Sequence, residues 1–177
     1  MRRRELLAGV LGLGVLGGGA ALANSGTSFI NDEGIGPVQV ETLDAPGSEA
    51  GTMLVPKPGT VTVVDVFRTS CTECKPQLEE LRTAHDAVGD RATFVSVTNA
   101  VLGGSLTRDD ITDWWREYGG PWPVAVDNEG QVTQAVGATG LPFTAIVDDT
   151  GEVAWTHLGV ADGESVADAV TTTLEQE

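Results

Sequence analysis

Phe67-Arg68-Thr69-Ser70-Cys71-Thr72-Glu73-Cys74-Lys75-Pro76 holds both cysteines of the 177-residue chain, spaced Cys-x-x-Cys. Ahead of it runs Thr60 to Phe67, an apolar, β-branched stretch that reads as a strand buried on both faces. Behind it, Leu78, Leu81, Ala84 and Val88 fall on one face of a helix. The spacing predicts a helix from Cys71 to about Val88, with Gly89 as its C-cap and Pro76 bending its second turn. Cys71 then sits where a strand gives way to a helix. A helix N-terminus presents free N–H groups and the positive end of a dipole, and both favour a thiolate, which is the nucleophile. Cys71, nearer the helix start, is expected to be the more exposed and more acidic thiol, and Cys74 to resolve the mixed disulfide. A structural disulfide is the alternative, but so short a loop stabilises less than a long-range bridge in the loop-entropy model.

The rest of the chain extends this unit into an α/β domain. Ala92 to Thr98 is the next strand, giving a βαβ unit with a parallel sheet. Upstream, Val38–Glu41 and Met53–Val55 read as short strands around the loop Asp44–Gly51, and Pro56-Lys57-Pro58-Gly59 stops the second. Downstream, Asn99–Leu106 is a loop. Thr107-Arg108-Asp109-Asp110 resembles a capping box opening a helix to Tyr118, with Ile111, Trp114 and Trp115 toward the core. Pro123–Val126 is a short strand and Gln131–Val136 a short helix closed by Gly137. Phe143–Val147 and Val153–His157 form a hairpin, and a last helix spans about Gly163 to Leu174.

Three features together resemble the thioredoxin fold: the Cys71–Cys74 segment, Gly140-Leu141-Pro142-Phe143-Thr144 before an apolar run, and Asp65 six residues before Cys71. The proline segment resembles the family's cis-proline loop, and Asp65 its buried acid. The strand-and-helix insertion before that loop is similar to the exported TlpA/ResA-type thioredoxin-like proteins, over roughly residues 38–175. The resemblance implies a mixed β-sheet flanked by helices and a protein thiol–disulfide oxidoreductase. It implies no cofactor beyond the Cys71–Cys74 disulfide. Asp65 would relay the proton of Cys74, since burial raises a carboxyl pKa. A water-linked aspartate at an edge is the alternative. Leu141 and Pro142 would pair with substrate backbone, a form of β-augmentation, against the alternative of an ordinary trans proline. Glu73 between the cysteines opposes thiolate formation and leans toward a reductase, unless it is a solvated charge. The implied partners are exported proteins with disulfides, apocytochrome c among them by resemblance, and a membrane electron donor or acceptor. Ser70, Phe67 and Glu73 depart from the family's usual Trp, Trp and Pro, which leaves substrate preference open.

Charge and the N-terminus bear on where such a protein works. There are 26 acidic and 10 basic residues, net charge −16, and only Lys57 and Lys75 are lysines. A scattered acidic surface poor in lysine suits high salt, and a halophilic source is expected, with a merely acidic surface as the alternative. Nucleic acid is an unfavourable partner, since no basic patch exists. Arg2-Arg3-Arg4, the apolar Leu6–Leu22 and Ala21-Leu22-Ala23 read as an export signal over residues 1–23, twin-arginine-like at Arg3-Arg4. An uncleaved anchor is the alternative. Residues 24–37 read as a linker and 38–177 as the domain. The expected location is extracytoplasmic, where dithiols meet oxidants. A rival function is a thioredoxin-fold copper chaperone using Cys71, Cys74 and either His85 or His157.

Overall fold

The structure is a computed structural model that describes residues 34–176; the expected signal and most of the linker lie outside those residues. Twelve stretches of regular structure, eleven of them strands or α-helices, follow the order read from the sequence. The strands are β1 Val38–Thr42, β2 Gly51–Val55, β3 Thr62–Phe67, β4 Thr93–Thr98, β5 Val124–Val126, β6 Phe143–Val147 and β7 Val153–Leu158. The helices are α1 Cys74–Val88, α2 Arg108–Tyr118, α3 Gln131–Ala135 and α4 Gly163–Leu174. One mixed sheet carries them in the order β2-β1-β5-β4-β3-β6-β7. β3 runs parallel to β4, and β4 to β5, while β6 returns antiparallel beside β3. This is the thioredoxin fold, a central mixed sheet flanked by helices.

Strand alternation sorts the core into two layers. Val63 and Phe67 of β3, Phe94 of β4 and Ile146 of β6 pack with Leu78 and Leu81 of α1, Ile111 and Trp115 of α2, and Val166 and Val170 of α4. Val64, Val66, Val95, Val97 and Ala125 face the other way, toward Val132 and Val136 around α3. Every residue of β3 is buried, as its uninterrupted apolar run requires. The capping box at α2 is complete: Thr107 Oγ1 accepts from Asp110 N–H, and the Asp110 carboxylate accepts from Thr107 N–H.

Several boundaries differ from the sequence expectation. α1 starts at Cys74, not Cys71, because Glu73 is its N-cap and the first helical hydrogen bond runs from Gln77 N–H to Glu73 C=O. Pro76 therefore lies in the first turn, where its missing N–H has no helical acceptor to lose, rather than in the second. Trp114 does pack against the core as expected, half-buried where Trp115 is fully buried. Val55–Pro56 is a second cis peptide bond, beside Leu141–Pro142. Ile35, within the expected linker, already donates to Gly151 C=O at 2.6 Å.

Candidate active site

Between β3 and α1, Cys71 N–H donates to Arg68 C=O at 3.0 Å, a turn that sets Cys71 just ahead of the helix. Cys71 is half-buried, while Cys74, the first helical residue, is 1% exposed. The two are joined as a disulfide with Cα atoms 5.4 Å apart. Only the sulfur of Cys71 is open to an incoming substrate. The free N–H groups and positive dipole end of α1 lie beside it. Glu73 is exposed and makes no side-chain capping bond, so its carboxylate stays in solvent between the cysteines.

The ground beneath the dithiol is aromatic, although neither Phe67 nor Ser70 is a tryptophan. Phe67 stacks on Trp114 with ring centroids 5.2 Å apart and leans on Trp115 at 5.6 Å. Helix α2 thus supplies indole rings that the segment around the cysteines lacks. Arg68 Nε donates to Asn99 Oδ1 at 2.8 Å and ties the loop after β3 to the loop after β4. Lys75 places its ammonium 3.9 Å from the Tyr118 ring centroid, a cation–π contact.

Leu141–Pro142 is a cis peptide bond, and Pro142 is buried. Leu141 is half-buried and, like Cys71, packs against the core cluster that contains Cys74. No described residue bonds the backbone N–H or C=O of Leu141. Leu158, 55% exposed, and Val160, 37% exposed, add apolar surface. A Cβ on Gly140 would lie 2.9 Å from Leu158 Cδ1, so Leu158 sits directly against this loop.

Asp65 is 2% exposed and lies on the same face of β3 as Val63 and Phe67, the face covered by α1. Ser96 Oγ of β4 donates to its Oδ2 at 2.7 Å. Trp122 Nε1 in turn donates to Ser96 Oγ at 3.0 Å. Asp65 Oδ1 has no partner among the described residues, and neither has Thr144 Oγ1, whose residue lies directly opposite on β6. Burial pushes the Asp65 carboxyl up to about 7, and the Ser96 bond offsets part of that rise. The sequence reading missed Ser96 and Trp122. A serine at an inward position of the buried run Thr93–Thr98 was the available signal.

The two histidines stand apart from this chemistry. His85 packs on Phe94 and Trp122 at 5.0 and 5.4 Å, and His157 stacks on Trp155 at 5.8 Å. No group of three or more His, Cys, Asp or Glu side chains placed for a metal ion occurs among the described residues.

Comparison with known proteins agrees with the geometry. Among curated proteins nothing matches the sequence. Among solved structures, StoA from Bacillus subtilis superposes with a TM-score of 0.62 at 17% identity, covering 76% of this chain and 96% of that one. A putative thiol:disulfide interchange protein DsbE from Chlorobium tepidum gives 0.64 at 18% identity, covering 78% and 94%. The exposed lipoprotein thioredoxin Etrx1 of Streptococcus pneumoniae gives 0.61 at 21%, covering 80% and 100%. At these identities the likeness establishes the fold. The family model for Redoxin matches residues 42–171, most of the chain and all of the site. The chain belongs to the redoxin family, as a thioredoxin-like thiol–disulfide oxidoreductase with a Cys-x-x-Cys pair.

Proposed function

We propose that this redoxin is an extracytoplasmic reductase of disulfides in exported proteins. The observation that carries the reading is the asymmetry of the dithiol: Cys71 is accessible ahead of a helix N-terminus, and Cys74 is sealed one step behind it. In the reduced protein the Cys71 thiolate attacks one sulfur of the substrate disulfide. The substrate S–S bond breaks, and one substrate thiol leaves with a proton from water. Cys74 passes its thiol proton to Asp65 and attacks Cys71 Sγ. The mixed bond breaks, the second substrate thiolate leaves and takes up the proton held by Asp65, and Cys71–Cys74 closes. Two electrons pass from the dithiol to the substrate, and a membrane-bound dithiol donor restores it.

The unpaired backbone of Leu141 fits a substrate segment added as a short strand, with Leu158 and Val160 as apolar neighbours. Glu73 disfavours the Cys71 thiolate, which destabilises the reduced form and makes the dithiol a stronger reductant. The arginine-led apolar N-terminus supports export, as a cleaved signal or an anchor. The structural similarity to an exposed lipoprotein thioredoxin supports the same location. Exported apocytochrome c is one substrate of suitable chemistry. The lysine-poor acidic surface supports a halophilic source.

The test is the reduction potential of the couple in high salt, with insulin reduction by wild type and Cys71→Ser alongside. A potential near about −270 mV, with turnover abolished in the variant, is expected. A potential near about −120 mV would reverse the direction, and unchanged turnover in Cys71→Ser would overturn the mechanism.

A further inference from the structure

We propose that Ser96 and Trp122 form a positioning device that divides the labour of the two Asp65 oxygens: Oδ2 is anchored, and Oδ1 carries the proton. This deepens the reading in which Asp65 receives the proton of Cys74. The argument is one of donors and acceptors. An indole N–H can only donate, and a hydroxyl has a single proton. Trp122 Nε1 donates to Ser96 Oγ at 3.0 Å, so the Ser96 proton is turned away from Trp122. Asp65 Oδ2, 2.7 Å away, is its acceptor.

Both donors are held firmly. Ser96 is fully buried, and its own N–H donates to Pro123 C=O, the residue after Trp122. Trp122, 2% exposed, is packed by Phe94, His85 and Trp115. A proton added to Oδ2 would turn the Ser96 hydroxyl away from its acceptor. A proton added to Oδ1 leaves the whole chain intact. Oδ1 has no described partner, and Thr144, in register with Asp65 on β6, carries a hydroxyl that is also without one. Oδ1, the oxygen left without a donor, is where the proton is received and handed on.

The other titratable groups around this carboxyl are few. From α1, which packs on this face of the sheet, the titratable groups are Cys74, in the core cluster with Val63 and Phe67, and His85, which stacks on Trp122. His157 of β7 stands opposite Thr144 on the far side of β6. No cation offsets the buried carboxylate, so the Ser96 hydroxyl is the group that stabilises its charged form.

The experiment follows the Asp65 carboxyl by infrared titration, using Asp65→Asn to assign the band, together with the pH profile of insulin reduction. Ser96→Ala should move the Asp65 titration up by about one pH unit, the worth of a hydrogen bond to a charged group. Trp122→Phe should move it the same way by less, because the hydroxyl is then free to turn. Ser96→Thr keeps the hydroxyl and should restore the wild-type titration. A wild-type titration in Ser96→Ala, or an equal shift in Ser96→Thr, overturns the device. If Asp65→Asn leaves the activity profile unchanged, the relay role of Asp65 falls instead, while the infrared titration still decides what Ser96 and Trp122 do.

Discussion

Asp65 places a carboxyl in a strand whose every residue is buried, with one hydroxyl bond from Ser96, and the fold bears a cost for it at neutral pH. In the unfolded chain it ionises near 3.8, and in the folded protein near 7. Between those values the folded state holds the extra proton. The stability that this proton contributes is complete below 3.8 and is lost as pH rises to 7. Above 7 the buried charge costs on the order of 4 kcal/mol. Asp65→Asn should therefore be more stable than wild type at pH 8 and should lose most of that advantage at pH 4, measured by urea unfolding of the disulfide form. A gain that is the same at both pH values would show that the carboxylate charge is not its source. Cys71, Cys74, Asp65 and Pro142 could be singled out in the sequence as candidates because each is a distinctive residue in or beside an apolar run. Ser96 and Trp122 could not: a serine and a tryptophan are ordinary residues, and their bonds span 31 and 26 positions that only the parallel sheet brings together.

The helices were legible through their periodicity and caps, and misplaced where a cap has no side-chain signature. Thr107 and Asp110 announced the start of α2, and Gly89, with φ 57°, the end of α1. Glu73 caps α1 through its backbone alone, so nothing in its side chain marks the boundary, and the sequence pattern places the helix start three residues too early. The junction of α4 with α1 was equally silent. Gly163 opens α4 with its N–H donating to Glu80 Oε2 at 2.8 Å, and Gln77 Oε1 accepts from Ala161 N–H at 2.6 Å. A Cβ on Gly163 would run into the backbone oxygen of Glu80. Replacing a helical glycine by alanine ordinarily stabilises by up to about 1 kcal/mol. Here the sign should reverse: Gly163→Ala should destabilise by about 1–3 kcal/mol, since the two helices must part. A lower urea midpoint with an unchanged slope is the expected result, and a raised midpoint would mean that the close approach is not rigid.

Across the whole molecule, 26 carboxylates against 10 basic residues repel one another. Screening shortens that repulsion from a reach of about 10 Å at 0.1 M salt to about 3 Å at 1 M. The melting temperature should rise steadily with KCl from 0.1 M into the molar range. A flat response would mean that the acids are spaced widely enough not to matter, and would remove the argument for a saline habitat. The order of strands was legible only in part. The βαβ unit gave β3 beside β4, but the insertion of β5 between β4 and β1 depends on long-range pairing that leaves no local pattern. The dithiol itself has one more property at this scale. With two cysteines in the chain, a single ring can close within it, and no scrambled isomer competes during oxidation. Any larger covalent species seen on a non-reducing gel must then contain a second molecule. With the resolving sulfur removed, as in Cys74→Ser, that second molecule is either another copy or the physiological partner, captured through Cys71 alone.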